Sequence, residues 1–277
     1  MSRDRRTIDG FGFEWSTFDQ SGRSVAEMRA TFDQYFAVFP WASLPSGSVG
    51  FDLGCGTGRW ARFVASRVGR LVCIDASEDA LQTAVRLLRE TENSWPVLAA
   101  AGELPFEDSS MDFGYSLGVL HHVPDPAAGL ADAVRVLRPG APFLVYLYYA
   151  FDNRPLWYRY LWMVSDRLRQ RISSLRPETR LRVTEAIAAV VYLPLARLAR
   201  LMEALGFDAE GFPLAAYRHR SFYSMRTDAL DRFGTRLEKR FSASEVRRLM
   251  EDAGLEDIRF SDGPPYWCAV GYRQRPM

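Results

Sequence analysis

Apolar and polar positions follow one rhythm up to about residue 150 and another beyond it. In the first part, short apolar runs alternate with longer amphipathic stretches. "SVGFDL" (48–53) reads as a buried strand and leads through glycines to a helix from about 59 to 68. "RLVCID" (70–75) is a second strand and "SEDALQTAVRLLRETE" (77–92) a helix. Ser77 can cap that helix, but Ala80 rather than an acid stands three residues on, so it is not a full capping box. "WPVLAAA" (95–101) and "SMDFGYSL" (110–117) are the third and fourth strands. "DPAAGLADAVRVLRPG" (125–140) is an amphipathic helix stopped by Pro139 and Gly140, and "APFLVYLYY" (141–149) is a fifth strand. Strands alternating with helices predict a parallel, doubly wound α/β sheet.

Residues 151–240 break that rhythm. They are helical in pattern and rich in Arg, Trp and Tyr. The strand grammar then returns. "SASEVRRLMEDAG" (242–254) is a helix with Ser242 as its cap and Glu245 three residues later. "LEDIRFS" (255–261) and "YWCAVGYRQ" (266–274), joined by "DGPP", read as a hairpin closing the sheet edge. The helical region is therefore expected to be an insertion between the fifth strand and the last helix. The expected organisation is an N-terminal helical lid at 1–47, a nucleotide-type domain at 48–150 and 241–277, and a substrate-covering insertion at 151–240. "GFGFEWSTFD" (10–19) carries the lid reading, with Trp15 as a candidate substrate contact; the alternative is a helix that only packs on the core.

Composition changes this picture little. Hydrophobic content of 48% and charged content of 25% are those of an ordinary globular chain. The charged start suggests no signal peptide, and no apolar run reaches the roughly 18 residues that span a bilayer. Cys55, Cys73 and Cys268 are scattered without metal-ligand or redox spacing, so a reduced, cytoplasmic setting is expected. The net charge of +1 hides an asymmetry: residues 151–240 carry 17 Arg and Lys against 10 Asp and Glu. Either this is a solvated helical surface or it is a face that meets something anionic.

The most informative stretch is "DLGCGTGRW" (52–60). Its pattern is G-x-G-x-G with Arg59 next, so the third glycine of the dinucleotide fingerprint is absent. Asp52 at the strand end would repel phosphates but suits an ammonium group. Asp75, about 20 residues on, can accept hydrogen bonds from ribose hydroxyls. The loop thus reads as built for S-adenosylmethionine; the plain alternative is a tight strand-to-helix turn.

These residues, with "CIDAS" (73–77), "GELPFEDSSMDFGYSLGVLHHVPDP" (102–126) and "VLRPG" (136–140), make the chain resemble class I S-adenosylmethionine-dependent methyltransferases. More closely it resembles the ubiquinone/menaquinone-type small-molecule subgroup. The resemblance covers roughly 48–150, with a return at 241–273. It implies a Rossmann-like seven-stranded sheet and a cofactor site at Asp52, Gly54, Cys55, Gly56, Gly58, Asp75, Ala76, Ser77, Gly102, Glu103, Leu104, Leu117 and Gly118. One departure is that Ala100 stands where the subgroup carries an acid near the adenine; the backbone at 101–104 is expected to serve instead.

Methyl transfer needs positioning, and a base only where the acceptor is a weak acid. His121 and His122, after the fourth strand, are the candidate bases; the alternative is that one of them orients backbone. Tyr149, Arg218, Arg220, Tyr223 and Arg226 are candidates for binding an anionic or aromatic acceptor. The competing arrangement is surface arginines paired with Asp228, Asp231 and Glu238. "AIAAVVYLPLARLARLMEAL" (186–205) is too charged to span a membrane; core or dimer packing, or an interfacial helix, remain its readings. No metal, no nucleic-acid partner and no stable membrane insertion are expected, in a monomer or homodimer. A nicotinamide oxidoreductase is disfavoured by Arg59 and Asp52. The competing class is a non-catalytic S-adenosylmethionine-binding regulator or partner subunit with the same fold.

Overall fold

A computed structural model describes residues 4–20, 22–152 and 155–276 of the chain. Two helices come first, α1 (Arg5–Thr17) and α2 (Val25–Tyr35). Strand and helix then alternate as β1 (Val49–Leu53), α3 (Ala61–Ala65), β2 (Arg70–Asp75), α4 (Glu78–Leu87), β3 (Ser94–Leu98), β4 (Phe113–Leu117), α5 (Pro126–Val136) and β5 (Pro142–Tyr146). The helical segment holds α6 (Leu156–Ile172), α7 (Pro177–Ile187), α8 (Leu193–Ala204) and α9 (Phe222–Gly234). The chain ends with α10 (Ala243–Asp252), β6 (Leu255–Phe260) and β7 (Cys268–Arg273).

Among the described residues, seven strands form one sheet in the order β3-β2-β1-β4-β5-β7-β6. The first five pair in parallel, and β7 runs antiparallel to β5 and β6. The strand order reverses between β1 and β4, which is where open α/β sheets place their ligands. The β6–β7 hairpin forms one edge, as the sequence pattern predicts.

Alternation along the strands explains the two cores. Phe51, Leu53, Val72, Ile74, Phe143 and Val145 face α5 and α10, where Leu130, Val134, Val246 and Met250 are buried. Leu71, Cys73, Tyr115, Leu117 and Leu144 face the other side, against Met28, Phe32, Trp60, Val64 and Leu81. A parallel sheet covered on both faces needs apolar residues at both parities, hence the continuous apolar runs. The caps follow their chemistry: the Ser77 hydroxyl accepts from Ala80 N–H at 3.3 Å without a reciprocal acid. Ser242 and Glu245 form a complete capping box.

The helical segment leaves the sheet after β5 and returns beside its exit, since Tyr149 and Phe241 pair as an isolated parallel bridge. It has a small core of its own, with Ile172, Ala188, Tyr192, Met225, Ala229 and Phe233 buried together. Arg240 ties the seam. Its guanidinium lies over the rings of Phe151 (4.8 Å), Trp162 (5.1 Å) and Tyr148 (5.2 Å) and pairs with Glu238 at 2.7 Å. Within the helical region read at 151–240, Asn153 and Arg154 lie outside the described residues.

Candidate functional site

The turn after β1 is set by backbone demands. Gly54 has a φ of +78°, and a Cβ there would sit 2.3 Å from a Val119 methyl, so no side chain fits without moving the β4 turn. Gly54 and Cys55 N–H donate to Ile74 carbonyl at 2.7 and 2.9 Å, pulling the loop against the end of β2. There Asp75 accepts from Gly56 N–H and from Ser77 N–H, each at 2.9 Å. One carboxylate therefore holds together the glycine loop and the start of α4. Burial raises its pKa, and the backbone donors oppose that rise.

α1 covers this loop. Gly12 lets it come close, since a Cβ there would lie 2.6 Å from Ser77 Oγ. The Trp15 indole sits against Gly56, 3.1 Å from where a Cβ would be, and the Arg59 guanidinium lies 5.1 Å from the Trp15 ring and 4.7 Å from that of Trp60. Phe11 packs its ring 5.0 Å from His122.

These groups line one cleft of about 1610 Å³, which runs from the glycine loop across the strand ends to the helical segment. That exceeds the roughly 300–1000 Å³ of a single small-ligand site, so the cleft has room for two ligands side by side. Among the anticipated residues, Gly54, Cys55, Gly56, Asp75, Ala76, Ser77, Glu103, Leu117 and Gly118 line it, as do Trp15, Tyr149, Arg218, Arg220 and His122.

Other expected contacts fall elsewhere. Asp52 is 1% exposed, and its carboxyl is enclosed beside the Tyr115 hydroxyl rather than in the cleft. Burial pushes its pKa up to about 8, so it is neutral at pH 7 and offers a ligand no negative charge. This corrects the expected ammonium contact. Gly58, with a φ of +76°, turns the chain towards α3, and a Cβ there would meet Leu88 rather than the cleft. Gly102 and Leu104 also stand off the cleft. Leu104 N–H donates to Asp132 at 2.7 Å, while Arg135 donates to the Leu104 and Phe106 carbonyls. The loop at 101–106 is thus braced by α5. Tyr223 packs on Phe18 and accepts from Gln20 N–H at 3.0 Å, and Arg226 pairs with Glu185; neither lines the cleft. Arg218 is held by Glu203 at 2.9 Å.

The two histidines separate clearly. His121 is fully buried under the Tyr148 ring, centroids 3.8 Å apart, and does not line the cleft. Burial holds it well below the ordinary imidazole pKa, so it is a neutral packing residue rather than a base. His122 lines the cleft, and its Nδ1 lies 2.6 Å from the Leu237 carbonyl. A carbonyl can only accept, so Nδ1 carries the hydrogen and Nε2 keeps a lone pair. That Nε2 is buried and has no partner. Burial lowers its pKa while nearby Asp231 raises it, leaving the ring neutral at pH 7.

Sequence reasoning missed the polar floor of this cleft. Tyr148 donates its hydroxyl to Asp231, 83 residues away on α9. Glu14 on α1 is 3% exposed with one carboxylate oxygen unpartnered, and Arg23 pairs with Asp228 at 2.9 Å. Only the glutamate within the aromatic "FGFEW" run gave a local hint. The other pairs join residues that the chain order keeps far apart.

The donor set fits a nucleoside sulfonium such as S-adenosylmethionine. Asp75 has about four acceptor positions. The Gly56 and Ser77 amides use two of them, leaving capacity for a vicinal diol. The glycine loop brings bare backbone to the cleft, and its one cation, Arg59, is already enclosed by two indoles. Among the described residues no cluster of His, Cys, Asp or Glu could hold a metal ion.

Comparison with known proteins agrees with this geometry. Residues 51–145 match the family model described as a methyltransferase domain. A demethylmenaquinone methyltransferase of Staphylococcus saprophyticus is 35% identical over 102 residues, covering 35% of this chain and 43% of its own length. An uncharacterized 37.1 kDa protein in a transposon of Streptomyces fradiae is 43% identical over 100 residues, covering 34% of this chain and 28% of its own. The chain thus spans less than half the length of these curated relatives. In structure it resembles a chain from the complex of the Haloferax volcanii Trm112 methyltransferase activator with a putative methyltransferase (TM-score 0.51, 18% identity, 95% and 97% of the two chains). It also resembles a SAM-dependent methyltransferase from Aquifex aeolicus (TM-score 0.50, 13% identity, 93% and 96%). At those identities the structures share the fold.

Proposed function

We propose that the chain is a class I S-adenosylmethionine-dependent methyltransferase, a reading supported by the methyltransferase-domain match at 51–145, and that it methylates a small aromatic or anionic acceptor. The observation that carries this reading is one cleft that joins the glycine loop and Asp75 to a neutral, unpartnered imidazole nitrogen on His122. S-adenosylmethionine supplies an electrophilic methyl on sulfur and leaves as a thioether.

The chain's own residues do the rest. Asp75 would hold the ribose hydroxyls, and the Gly54–Gly56 backbone would receive the amino-acid part. Trp15 and the rest of α1 exclude water, which keeps the two ligands aligned; holding reactants in near-attack geometry accounts for roughly 7–11 kcal/mol of such a barrier. His122 Nε2 accepts the proton of a weakly acidic acceptor as its oxygen or nitrogen takes the methyl. The Leu237 carbonyl stabilises the imidazolium that forms, and Asp231 contributes a favourable charge. Tyr149 offers an aromatic wall, and Arg220 with Arg197 and Arg200 offers cations beyond it.

The test is incubation with S-adenosylmethionine and a panel of phenols, aromatic acids and phosphorylated metabolites, read by mass spectrometry. A product heavier by one methylene, formed with S-adenosylhomocysteine, is the expected result. Cofactor binding with no transfer to any phenolic or anionic acceptor would contradict it and favour the non-catalytic alternative.

A further inference from the structure

The helical segment shows solvent a surface that the cleft does not explain. Of the 20 exposed large hydrophobic residues among those described, 14 lie between Leu156 and Phe207. The clearest case is α6. Leu156 (79% exposed), Trp157 (54%), Tyr160 (64%), Leu161, Val164 and Leu168 recur at helical spacing along one outward face. The opposite face is already used. Tyr158 and Trp162 pack on Phe151, Ile172 is buried, and Arg169 donates to the Thr235 and Arg236 carbonyls. The outward stripe is therefore left about half exposed or more, beyond what packing α6 in place requires.

We propose that α6 is an interfacial helix by which this protein docks on an anionic lipid surface. Charge selects that occupant over a second copy. Residues 156–207 carry nine arginines against four acids, and Arg159, Arg167 and Arg171 stand exposed on α6 itself. A two-fold contact between copies would set this positive surface against itself, since such contacts use the same patch twice. An anionic bilayer complements it, and a Trp, Tyr and Leu face bordered by Arg is the composition of a helix lying in the headgroup layer. No helix among the described residues is long and apolar enough to cross a membrane, so the contact is one of surface only. Leu198, Leu201 and Leu205 continue the exposed apolar character on α8, whose neighbours Arg197 and Arg200 line the cleft. Docking here would bring the cleft near the lipid, whatever reaction it runs.

The experiment is flotation of the full chain with phosphatidylcholine vesicles, with and without phosphatidylglycerol, at low and high salt. It needs neither cofactor nor acceptor, so it succeeds or fails independently of methyl transfer. Binding to the anionic vesicles, weakened by salt and reduced roughly tenfold or more by Trp157→Ser with Leu161→Ser, is expected. The circular dichroism of that variant should match the parent, and Arg167→Gln with Arg171→Gln should weaken binding to the anionic vesicles alone. No flotation, or flotation indifferent to both variants, would overturn the proposal. A dimer in analytical ultracentrifugation that the Trp157 and Leu161 substitutions dissociate would assign the face to a second copy instead.

Discussion

His122 is poised by one hydrogen bond. Because Nδ1 donates to the Leu237 carbonyl, its lone pair stands on Nε2, and burial keeps the ring neutral where a free imidazole would be half charged. His122→Asn should lower kcat by about 10²–10⁴, the usual contribution of a positioned base, with little change in cofactor affinity. The parent rate should stay flat above about pH 6.5 and fall only on the acid side, and the variant should lose that limb. A pH–rate profile of the two proteins checks this. Asp52 makes the opposite kind of prediction. Its folded pKa of about 8 against an ordinary 3.8 means that the unfolded chain releases this proton first. Stability therefore falls as pH rises from about 4 to 8. Asp52→Asn, uncharged throughout, should be more stable than the parent by about 2–5 kcal/mol at pH 8 and nearly equal to it at pH 4, in denaturant melts at both values.

Among the elements, α1 packs over the glycine loop and the start of α4, where a covering role for it can be tested. It reaches the β2–α4 turn only because Gly12 has no side chain, whereas a Cβ on Gly10 would meet nothing within 4 Å. Gly12→Ala should weaken S-adenosylhomocysteine binding roughly tenfold and expose α1 to proteolysis. Gly10→Ala should leave binding unchanged and stabilise the helix by about 0.5–1 kcal/mol. Calorimetry and limited proteolysis of the pair distinguish a covering helix from one that merely packs. The sheet was legible from the sequence because the inner parallel strands β1, β2, β4 and β5 are buried on both faces, which writes continuous apolar runs ended by glycine, proline or a capping serine, whereas β3 at the edge leaves Trp95 and Leu98 exposed. β2 spans the same residues, 70–75, as its apolar run. The helix read at 59–68 shortens to Ala61–Ala65 because residues 59–60 still belong to the turn after the glycine loop and residues 66–68 already turn towards β2. The helical segment was less legible: α6 is apolar on both faces, so periodicity could not say which side is inward. Within the site, the glycine loop and Asp75 are local signals. The Tyr148–Asp231 and Arg23–Asp228 pairs depend on how the insertion folds back, and Asp52 reads as a ligand only until its burial is known.

Across the whole molecule, two buried neutral histidines lie where the sheet meets the insertion, with His121 beneath Tyr148 and His122 bonded to Leu237. Both have folded pKa values below the ordinary 6.5, so unfolding takes up protons and stability falls as pH drops through about 6.5. His121→Phe preserves the stacking and removes one of these groups; its melting temperature should fall less than the parent's between pH 7 and pH 5. If Asp75 holds the ribose of S-adenosylmethionine, cofactor binding must depend on its carboxylate. Isothermal titration with S-adenosylhomocysteine, with NADH as control and Asp75→Ala beside the parent, tests it most directly. Micromolar binding by the parent, lost in the variant, with no response to NADH, is the predicted result. Heat from NADH, or S-adenosylhomocysteine binding untouched by Asp75→Ala, would contradict it.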